Sequence, residues 1–530
     1  MIEHLVVTPV VMPLAVGAVM LFLGARRRRW EAGLAIGGCA ALLLNAIALV
    51  VLTDADAGGL SRAYGVGDWP AYIAIVLVAD RLSALMLVLA ATLGLVSTVF
   101  ALSRWSRHGP YFYALVQFLL MGLNGAFLTG DLFNLFVFFE VLLIASYVLL
   151  VHGQGRERYK AGVHYVVLNL VASALFLIGL AVIYALTGTL NMADLALRVA
   201  QLDAEQAVLL KIGALVLLVV FGLKAAIVPL YLWLPGTYAA ASAPVAALFA
   251  IMTKVGVYSI IRVHGVMLGP EAGHAALTAQ PWLLPVALST IALAVLGALA
   301  AHSLARLAAY LTVASVGTIL AGVGLFTPAA LSASLYYMVH STLVMAALFL
   351  LVELVASQRG DIGDRLQPAA PVAQPVLLGL MTLLGAASVA GLPPLPGFLG
   401  KLMILQSAAP TPAHAWVWSV VLLAGFLTLV GLARAGTVLF WNVVPSAHAP
   451  AASGSSWRLS SATLGLLGLS LLLAAFASPM KRYTDATAAQ LADRAGYARA
   501  VLGAQGGPAA VTTRPYQGGA GEVRLPGGKP

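Results

Sequence analysis

The sequence predicts an all-α polytopic membrane protein with about 14 transmembrane helices. The chain has 530 residues, of which 61% are hydrophobic and only 9% are charged, whereas a soluble domain is roughly 45–50% apolar and about 25% charged. Its apolar runs extend for about 20 residues or more, which is the length of a membrane-spanning helix. They lack the alternating polarity of a membrane β-barrel. The loop cations lie mostly on one side of these runs, as in oriented membrane proteins.

Composition excludes several classes of protein. The formal net charge is +10, from 29 Lys and Arg against 19 Asp and Glu. The cations lie in short loops between apolar runs, which indicates membrane orientation and no nucleic-acid partner. The single cysteine, Cys39, permits no intrachain disulfide and no cysteine-based metal or iron–sulfur site. Because a P-loop and a dinucleotide-binding motif are also absent, we expect no cofactor, no metal, no redox centre and no ATP motor in this chain. Any energy source would be an ion gradient or a partner.

Fourteen predicted spans follow one another along the chain. Their approximate boundaries are 5–24, 32–52, 80–102, 111–130, 132–151, 162–187, 206–231, 243–263, 281–300, 304–325, 330–356, 374–396, 413–441 and 458–478. Fourteen loop cations follow odd-numbered spans and five lie on the opposite side, which predicts that both termini are outside. The arginines at 26–29 come after the first apolar run, so this run is predicted to be a retained helix. Lys481 and Arg482 are an exception, because they follow the last span on the predicted outer face.

Five ionisable side chains fall inside the predicted spans, where each costs at least about 2.5–3.5 kcal/mol near mid-helix. They are Glu140, Lys224, Lys254, His340 and Lys401. Each is therefore a candidate for a proton pathway, and each has a structural alternative. A carboxylate or lysine can form a buried ion pair, a lysine can extend its stem to the interface, and a lone histidine can be a satisfied core residue.

Two of the spans are predicted to be broken helices. Pro229 and Pro235 follow Lys224, and the segment 391–400 before Lys401 contains three more prolines. These are Pro393, Pro394 and Pro396. Proline within a span frees backbone carbonyls, and transporters place binding sites at such interruptions. The two lysines are 177 residues apart, which suggests two internal repeats.

The residue types suggest proton transfer. The charge of a buried lysine depends on how near a carboxylate lies, so a lysine whose glutamate partner can move acts as a proton switch. Histidine suits a relay because it titrates near neutral pH. Secondary candidates are polar groups that could assist the pathway or hold water. They are Asp131, Ser315, Ser341 and Thr342.

Several stretches resemble a known superfamily. They are 131–150 around Glu140, 224–235, the helix of Lys254, and 391–401. They look like the antiporter-like superfamily, which includes the proton-pumping membrane subunits of respiratory NADH:quinone oxidoreductase. The stretches 78–86 and 130–140, with the lysine at 401, are similar to the D-type subunits of Mrp, Pha or Mnh multisubunit cation/proton antiporters.

The resemblance implies a fold and a set of roles. It implies two inverted five-helix repeats, each with a broken helix, at the seventh and twelfth spans. It further implies that Glu140 and Lys224 are a modulating pair, that Lys254 and His340 relay protons, and that Lys401 is the terminal site. Several relatives have a histidine where this chain has Ser315, so water held there would carry the proton.

The resemblance also divides the chain. Residues 1–110 would form helices 1–3, 111–270 the first repeat of helices 4–8, 281–441 the second repeat of helices 9–13, and 458–478 helix 14. Residues 479–530 would be a C-terminal tail, with an amphipathic interfacial helix at 479–503 and disorder beyond it. A short surface helix is expected within 190–203. The long lateral helix of the largest superfamily members is absent from the sequence, which favours the D type.

The predicted function is that of a proton-translocating subunit of a multisubunit Na⁺ or K⁺/H⁺ antiporter in a bacterial inner membrane. Its partners would be subunits of the A, B, C, E, F and G types, membrane lipid, protons, and Na⁺ or K⁺. One alternative is a membrane-arm subunit of NADH:quinone oxidoreductase or of a related membrane hydrogenase. A structural subunit with vestigial charges is a further alternative, and it is disfavoured by the cost of five buried ionisable groups.

Overall fold

The structure is a computed structural model that describes residues 3–24, 28–55, 61–68, 75–103, 109–444 and 454–503. The α-helices are α1 (Thr8–Leu23), α2 (Arg28–Ala55), α3 (Arg81–Ala101), α4 (Phe112–Leu128), α5 (Leu132–Val151), α6 (Arg156–Thr187), α7 (Met192–Val199), α8 (Ala204–Ala225), α9 (Trp233–Ala240), α10 (Ala243–Ile260), α11 (Gln280–Leu299), α12 (Leu304–Val323), α13 (Pro328–Ala356), α14 (Pro375–Ala390), α15 (Pro396–Ala408), α16 (His414–Phe440), α17 (Trp457–Ala475), α18 (Ala477–Ala492) and α19 (Arg494–Leu502). The strands are β1 (Arg62–Gly65) and β2 (Val76–Ala79).

The predicted helical membrane fold is confirmed. Within the described ranges, eleven helical segments are long and apolar enough to cross a membrane, and α1, α4 and α14 are shorter apolar helices. These correspond to the predicted spans, because α8 and α9 form one interrupted segment and α14 continues into α15. The chain is therefore a multi-pass membrane protein. The sequence did not predict the short antiparallel hairpin, in which Arg62 pairs with Ala79 and Gly65 with Val76.

Both predicted breaks are present. Helix α8 ends at Ala225, and Ala226 adopts left-handed backbone geometry with φ 62° before a 3₁₀ turn at Leu230–Leu232. An alanine in the left-handed backbone conformation is strained by roughly 1–2 kcal/mol, and such backbone strain is typical of functional sites. Helix α14 ends at Ala390, the following Gly391 has φ 87°, and α15 begins at Pro396. Pro235 is the third residue of α9, where a helix needs no backbone donor.

The centre of the bundle is α10, with α12 and α13 beside it. Helix α10 is buried along its whole length. It packs against α8 on one side and α13 on the other, and α13 packs in turn against α15. Because the flanking helices α6, α16 and α17 expose large apolar side chains, the buried centre of the bundle is surrounded by a surface suited to lipid or to other subunits.

Two predicted surface segments differ in detail from the structure. The expected interfacial helix at 479–503 is two helices, α18 and α19, which pack on α13 and α7 respectively. The reason is that Leu491 and Tyr497 are buried side chains that anchor both helices to the bundle. The short helix α7, expected on the surface, is itself mostly buried. The predicted disorder at 504–530 and the loop cations at 26, 27, 104 and 107 lie outside the described residues.

Candidate functional site

Glu140 lies on α5 at the edge of an exposed apolar face. Its side chain is half-buried, and Val137 and Ile144, one turn away on either side, are 39% and 61% exposed. The Ser173 hydroxyl of α6 lies within hydrogen-bonding distance of Glu140 Oε1 and of the Asn169 carbonyl, with a distance of 2.9 Å to the latter. The carboxylate is therefore held from the side by α6.

Lys224 lies in the last turn of α8 and is 6% exposed. Its Nζ donates a hydrogen bond of 3.0 Å to Asn169 Oδ1 and lies 5.6 Å from the centre of the Phe139 ring. Among the described residues, no salt bridge joins Lys224 to Glu140. Instead Asn169 and Ser173, one helical turn apart on α6, bridge the lysine to the carboxylate.

Lys254 is at the centre of the bundle. It is fully buried, and its Nζ has no hydrogen-bond partner among the protein atoms of the described segments. Two residues later, Gly256 allows α10 to approach the end of α8 closely. A Cβ at this position would lie 2.5 Å from the Ala225 backbone nitrogen. Lys254 is therefore on a helix that packs directly against the break that follows Lys224.

His340 and Lys401 lie at the second break. His340 Nδ1 is 3.2 Å from Ser470 Oγ. A Cβ at Gly397 would lie 1.8 Å from the Ser388 carbonyl oxygen and 2.8 Å from His340 Nε2, so α15 contacts both α14 and the histidine through this glycine. The half-buried Lys401 donates hydrogen bonds from Nζ to the Val389 and Ala390 carbonyls, at 2.9 and 3.0 Å. These carbonyls are at the negative end of α14, which favours a cation.

The five predicted residues lie on helices that pack in series. Helix α5 contacts α6, α6 contacts α8, α8 contacts α10, α10 contacts α13, and α13 contacts α15. Glu140, Lys224, Lys254, His340 and Lys401 follow this order. The central three are buried, whereas the first and last are half-buried. The five ionisable groups therefore lie on five helices that are linked by direct contacts, with α6 between α5 and α8.

The secondary candidates are placed differently. Asp131 caps α5, where its carboxylate accepts a hydrogen bond of 2.8 Å from the Asn134 backbone, so it lies at a helix end and not in the row. The hydroxyls of Ser315, Ser341 and Thr342 are buried, and each donates to a carbonyl of its own helix. Their oxygens keep lone pairs that can accept a hydrogen bond.

Sequence reasoning missed Asn169 and Ser173. The signal was present, because an amide and a hydroxyl four residues apart share one face of an otherwise apolar helix. It also missed a buried ion pair. Arg262, counted above as a loop cation, is in a π-helical turn and contacts Asp80 through two oxygens at 2.6 Å. Burial raises the pKa of Asp80, but the Arg262 charge and hydrogen bonds outweigh this and hold that pKa below its ordinary value.

The described residues include no group of three or more His, Cys, Asp or Glu side chains that could hold a metal ion. The side chains that the structure brings to the site are amines, one carboxylate, an imidazole and hydroxyls. A multi-pass helical bundle with two broken spans and ionisable groups buried beside them belongs to the class of membrane transporters.

The family follows from comparison with known proteins. The family model described as "NADH:quinone oxidoreductase/Mrp antiporter, TM" matches residues 129–431, and the chain belongs to this family. It is 40% identical to a Rhizobium meliloti protein named as the probable D subunit of a K⁺/H⁺ antiporter, over 92% of this chain and 96% of the relative. It is 36% identical to the D subunit of the Na⁺/H⁺ antiporter of Alkalihalophilus pseudofirmus, over 94% and 99%. These relatives are named as antiporter subunits, which are transporters and not enzymes.

Solved structures agree with the family. A chain of the Mrp complex from a Dietzia species superposes with a TM-score of 0.82 at 28% identity, covering 94% of this chain and 99% of that one. A chain of respiratory complex I from Thermus thermophilus gives a TM-score of 0.76 at 25% identity, covering 92% and 99%.

Proposed function

We propose that this chain is the D subunit of a multisubunit monovalent cation/proton antiporter and that it carries protons along the row of buried groups. The observation that carries the proposal is the series of packed helices that presents Glu140, Lys224, Lys254, His340 and Lys401 in order. Relatives matched over nearly their whole length are named antiporter subunits, at 36–40% identity, whereas the complex I chain is 25% identical. This difference favours antiport over the redox-driven alternative.

Each group has a role in the proposed pathway. Asn169 and Ser173 couple Glu140 to Lys224. A change of charge on Glu140 therefore alters the free energy of protonating Lys224, and the reverse, without direct contact between the two. Lys254 suits a site that holds a proton only transiently, because a fully buried ammonium without a partner is unfavourable. His340 passes protons between Lys254 and Lys401. Water held by Ser315, Ser341 and Thr342 completes the links.

The proposal includes the repeat organisation and the partners. We assign 111–270 and 281–441 to two inverted repeats, each with one break beside a lysine. The partners are subunits of the A, B, C, E, F and G types, and the exposed apolar face around Glu140 suits such a neighbour. The exchanged cation is Na⁺ or K⁺, because the names of the relatives include both.

The test uses inverted membrane vesicles that contain the complete complex. A transmembrane pH difference is established, Na⁺ or K⁺ is added, and its dissipation is followed by a fluorescent probe. We expect dissipation with wild type, and none with Lys224→Ala or Lys401→Ala when the complex is still assembled. Lys211→Ala is the matched control, because it removes a lysine from α8 outside the row.

Two results would overturn the proposal, and a third would invalidate the assay. No cation response in wild-type vesicles would favour the redox-driven alternative. An unchanged response in both variants would make the buried lysines structural. Equal loss in the Lys211→Ala control would mean that the assay reports general damage to the bundle.

A further inference from the structure

An apolar cleft that contains none of the five row residues lies against α13. The cleft, of about 570 Å³, opens between α2, α3, α13, α17 and α18. Its lining is almost entirely apolar, including Val50, Leu89, Leu343 and Leu472. The proposed proton pathway uses none of these residues. The cleft volume is within the range of roughly 300–1,000 Å³ that is typical of ligand sites.

The cleft runs from one membrane boundary towards mid-membrane. Its lining on α3 begins with Leu85, one turn after the helix start, and reaches Thr92. Seven residues of helix span about 10 Å. On α13 the lining includes Val339 and Leu343, deep in the bundle, and on α18 it includes Tyr483 near the boundary. The long axis of the cleft therefore follows the direction of a lipid acyl chain.

Helix α18, which lines one end of the cleft, carries two adjacent cations. Lys481 and Arg482 lie between Met480 and Tyr483, both of which line the cleft. Lys481 pairs with Asp485 at 2.6 Å, whereas the exposed Arg482 has no ion pair with another described residue. These two residues were the exception in the distribution of loop cations. Orientation of the chain does not explain cations on this face, but attraction of an anionic headgroup does.

We infer that this cleft is a binding site for one anionic phospholipid, with an acyl chain in the cleft and the headgroup phosphate at Arg482. Arginine binds phosphate with directed hydrogen bonds, and Tyr483 is an amphipathic side chain suited to the headgroup level. The hydroxyl of Tyr483 donates to the Arg81 carbonyl at 2.8 Å, so the rim is fixed to the start of α3. The inference is independent of the proposed proton pathway.

The first experiment measures retained lipid. The intact complex is purified in detergent and washed, and the phospholipid per complex is quantified by mass spectrometry. Arg482→Ser should lower retained anionic lipid by about fivefold, the effect of one interfacial cation. Its matched control is Arg499→Ser, which removes an exposed cation from α19 away from the cleft. Equal retention by wild type and both variants overturns the inference.

The second variant fills the cleft. Leu89→Trp should reduce retention of that lipid, whereas Leu471→Trp, on an exposed face of α17 outside the cleft, should not. If the Leu89→Trp complex does not assemble, a photoreactive amino acid is placed at Val88 in a complex that is otherwise wild type. This complex is irradiated in native membranes. An adduct with the mass of one phospholipid supports the inference. An adduct with a polypeptide overturns it, because the cleft is then a subunit interface.

Discussion

Replacing Asn169 with leucine tests the link between Glu140 and Lys224. The substitution removes the acceptor at 3.0 Å from Lys224 Nζ and leaves a buried amine without that partner. Hydrogen bonds to charged groups contribute roughly 1.5–3 kcal/mol, and hydrogen bonds between membrane helices about 0.6–1.7 kcal/mol. The two ranges meet near 1.5 kcal/mol, which corresponds to about a tenfold change in rate.

The assay is the initial rate of cation-induced dissipation of the pH difference in inverted vesicles. We expect Asn169→Leu to lower this rate about tenfold with the complex assembled. The matched control is Asn124→Leu, which removes a buried interhelical hydrogen bond of 2.8 Å to the Pro9 carbonyl, away from the row. A wild-type rate for Asn169→Leu would refute the bridging role. An equal loss in both variants would show that the rate reports only packing of the bundle.

The remaining predictions concern stability of the purified complex, measured by thermal unfolding. Gly256→Ala and Gly397→Ala should each destabilise it by about 1–3 kcal/mol, because a Cβ would lie 2.5 and 1.8 Å from backbone atoms. Gly436→Ala, with no atom within 4 Å, should be neutral, and equal effects would contradict the close approach. Asp80→Asn should cost about 3–5 kcal/mol, whereas Asp54→Asn, in an exposed pair, should cost under about 1 kcal/mol.

Asp80 also predicts a dependence on pH. Its pKa is lowered in the folded protein, so its contribution to stability is present above the unfolded value of about 3.9 and is lost as the pH falls through the lower folded value. We expect the stability difference between wild type and Asp80→Asn to be constant near neutral pH and to shrink only in strong acid. A difference that disappears between pH 5 and 7 would contradict this assignment.

The hydrophobic spans and the buried charges could be predicted from sequence because each depends on the free energy of transferring a single residue or segment between water and the membrane. A lysine such as Lys254 in an apolar run is conspicuous without knowledge of its neighbours. The breaks were equally visible, because Pro229 and Pro393 cannot continue a helix. What each charged group contacts could not be predicted, because Asn169 and Ser173 come from a helix that is distant in sequence from Lys224.

The pairing of Asp80 with Arg262 shows the same limit over a longer distance. The two residues are 182 positions apart, and each is at a helix end where a loop charge is ordinary. Only the packing of α3 against α10 brings them together. The docking of α18 and α19 was missed for a related reason. An amphipathic helix has the same pattern whether its apolar side meets lipid or protein.

The half-buried ends and fully buried centre of the row have a kinetic consequence for the proposed pathway. Lys254 is enclosed by protein, so a proton there cannot exchange laterally with a base in the surroundings. It must leave through Lys224 or His340, and then past Glu140 or Lys401. The proton occupancy of Lys254 is thus governed by proton transfer at the two ends of the row, where neighbouring subunits would lie. In the proposed pathway Lys254 holds a proton only transiently, and leakage from the row is limited by the access points at its two ends.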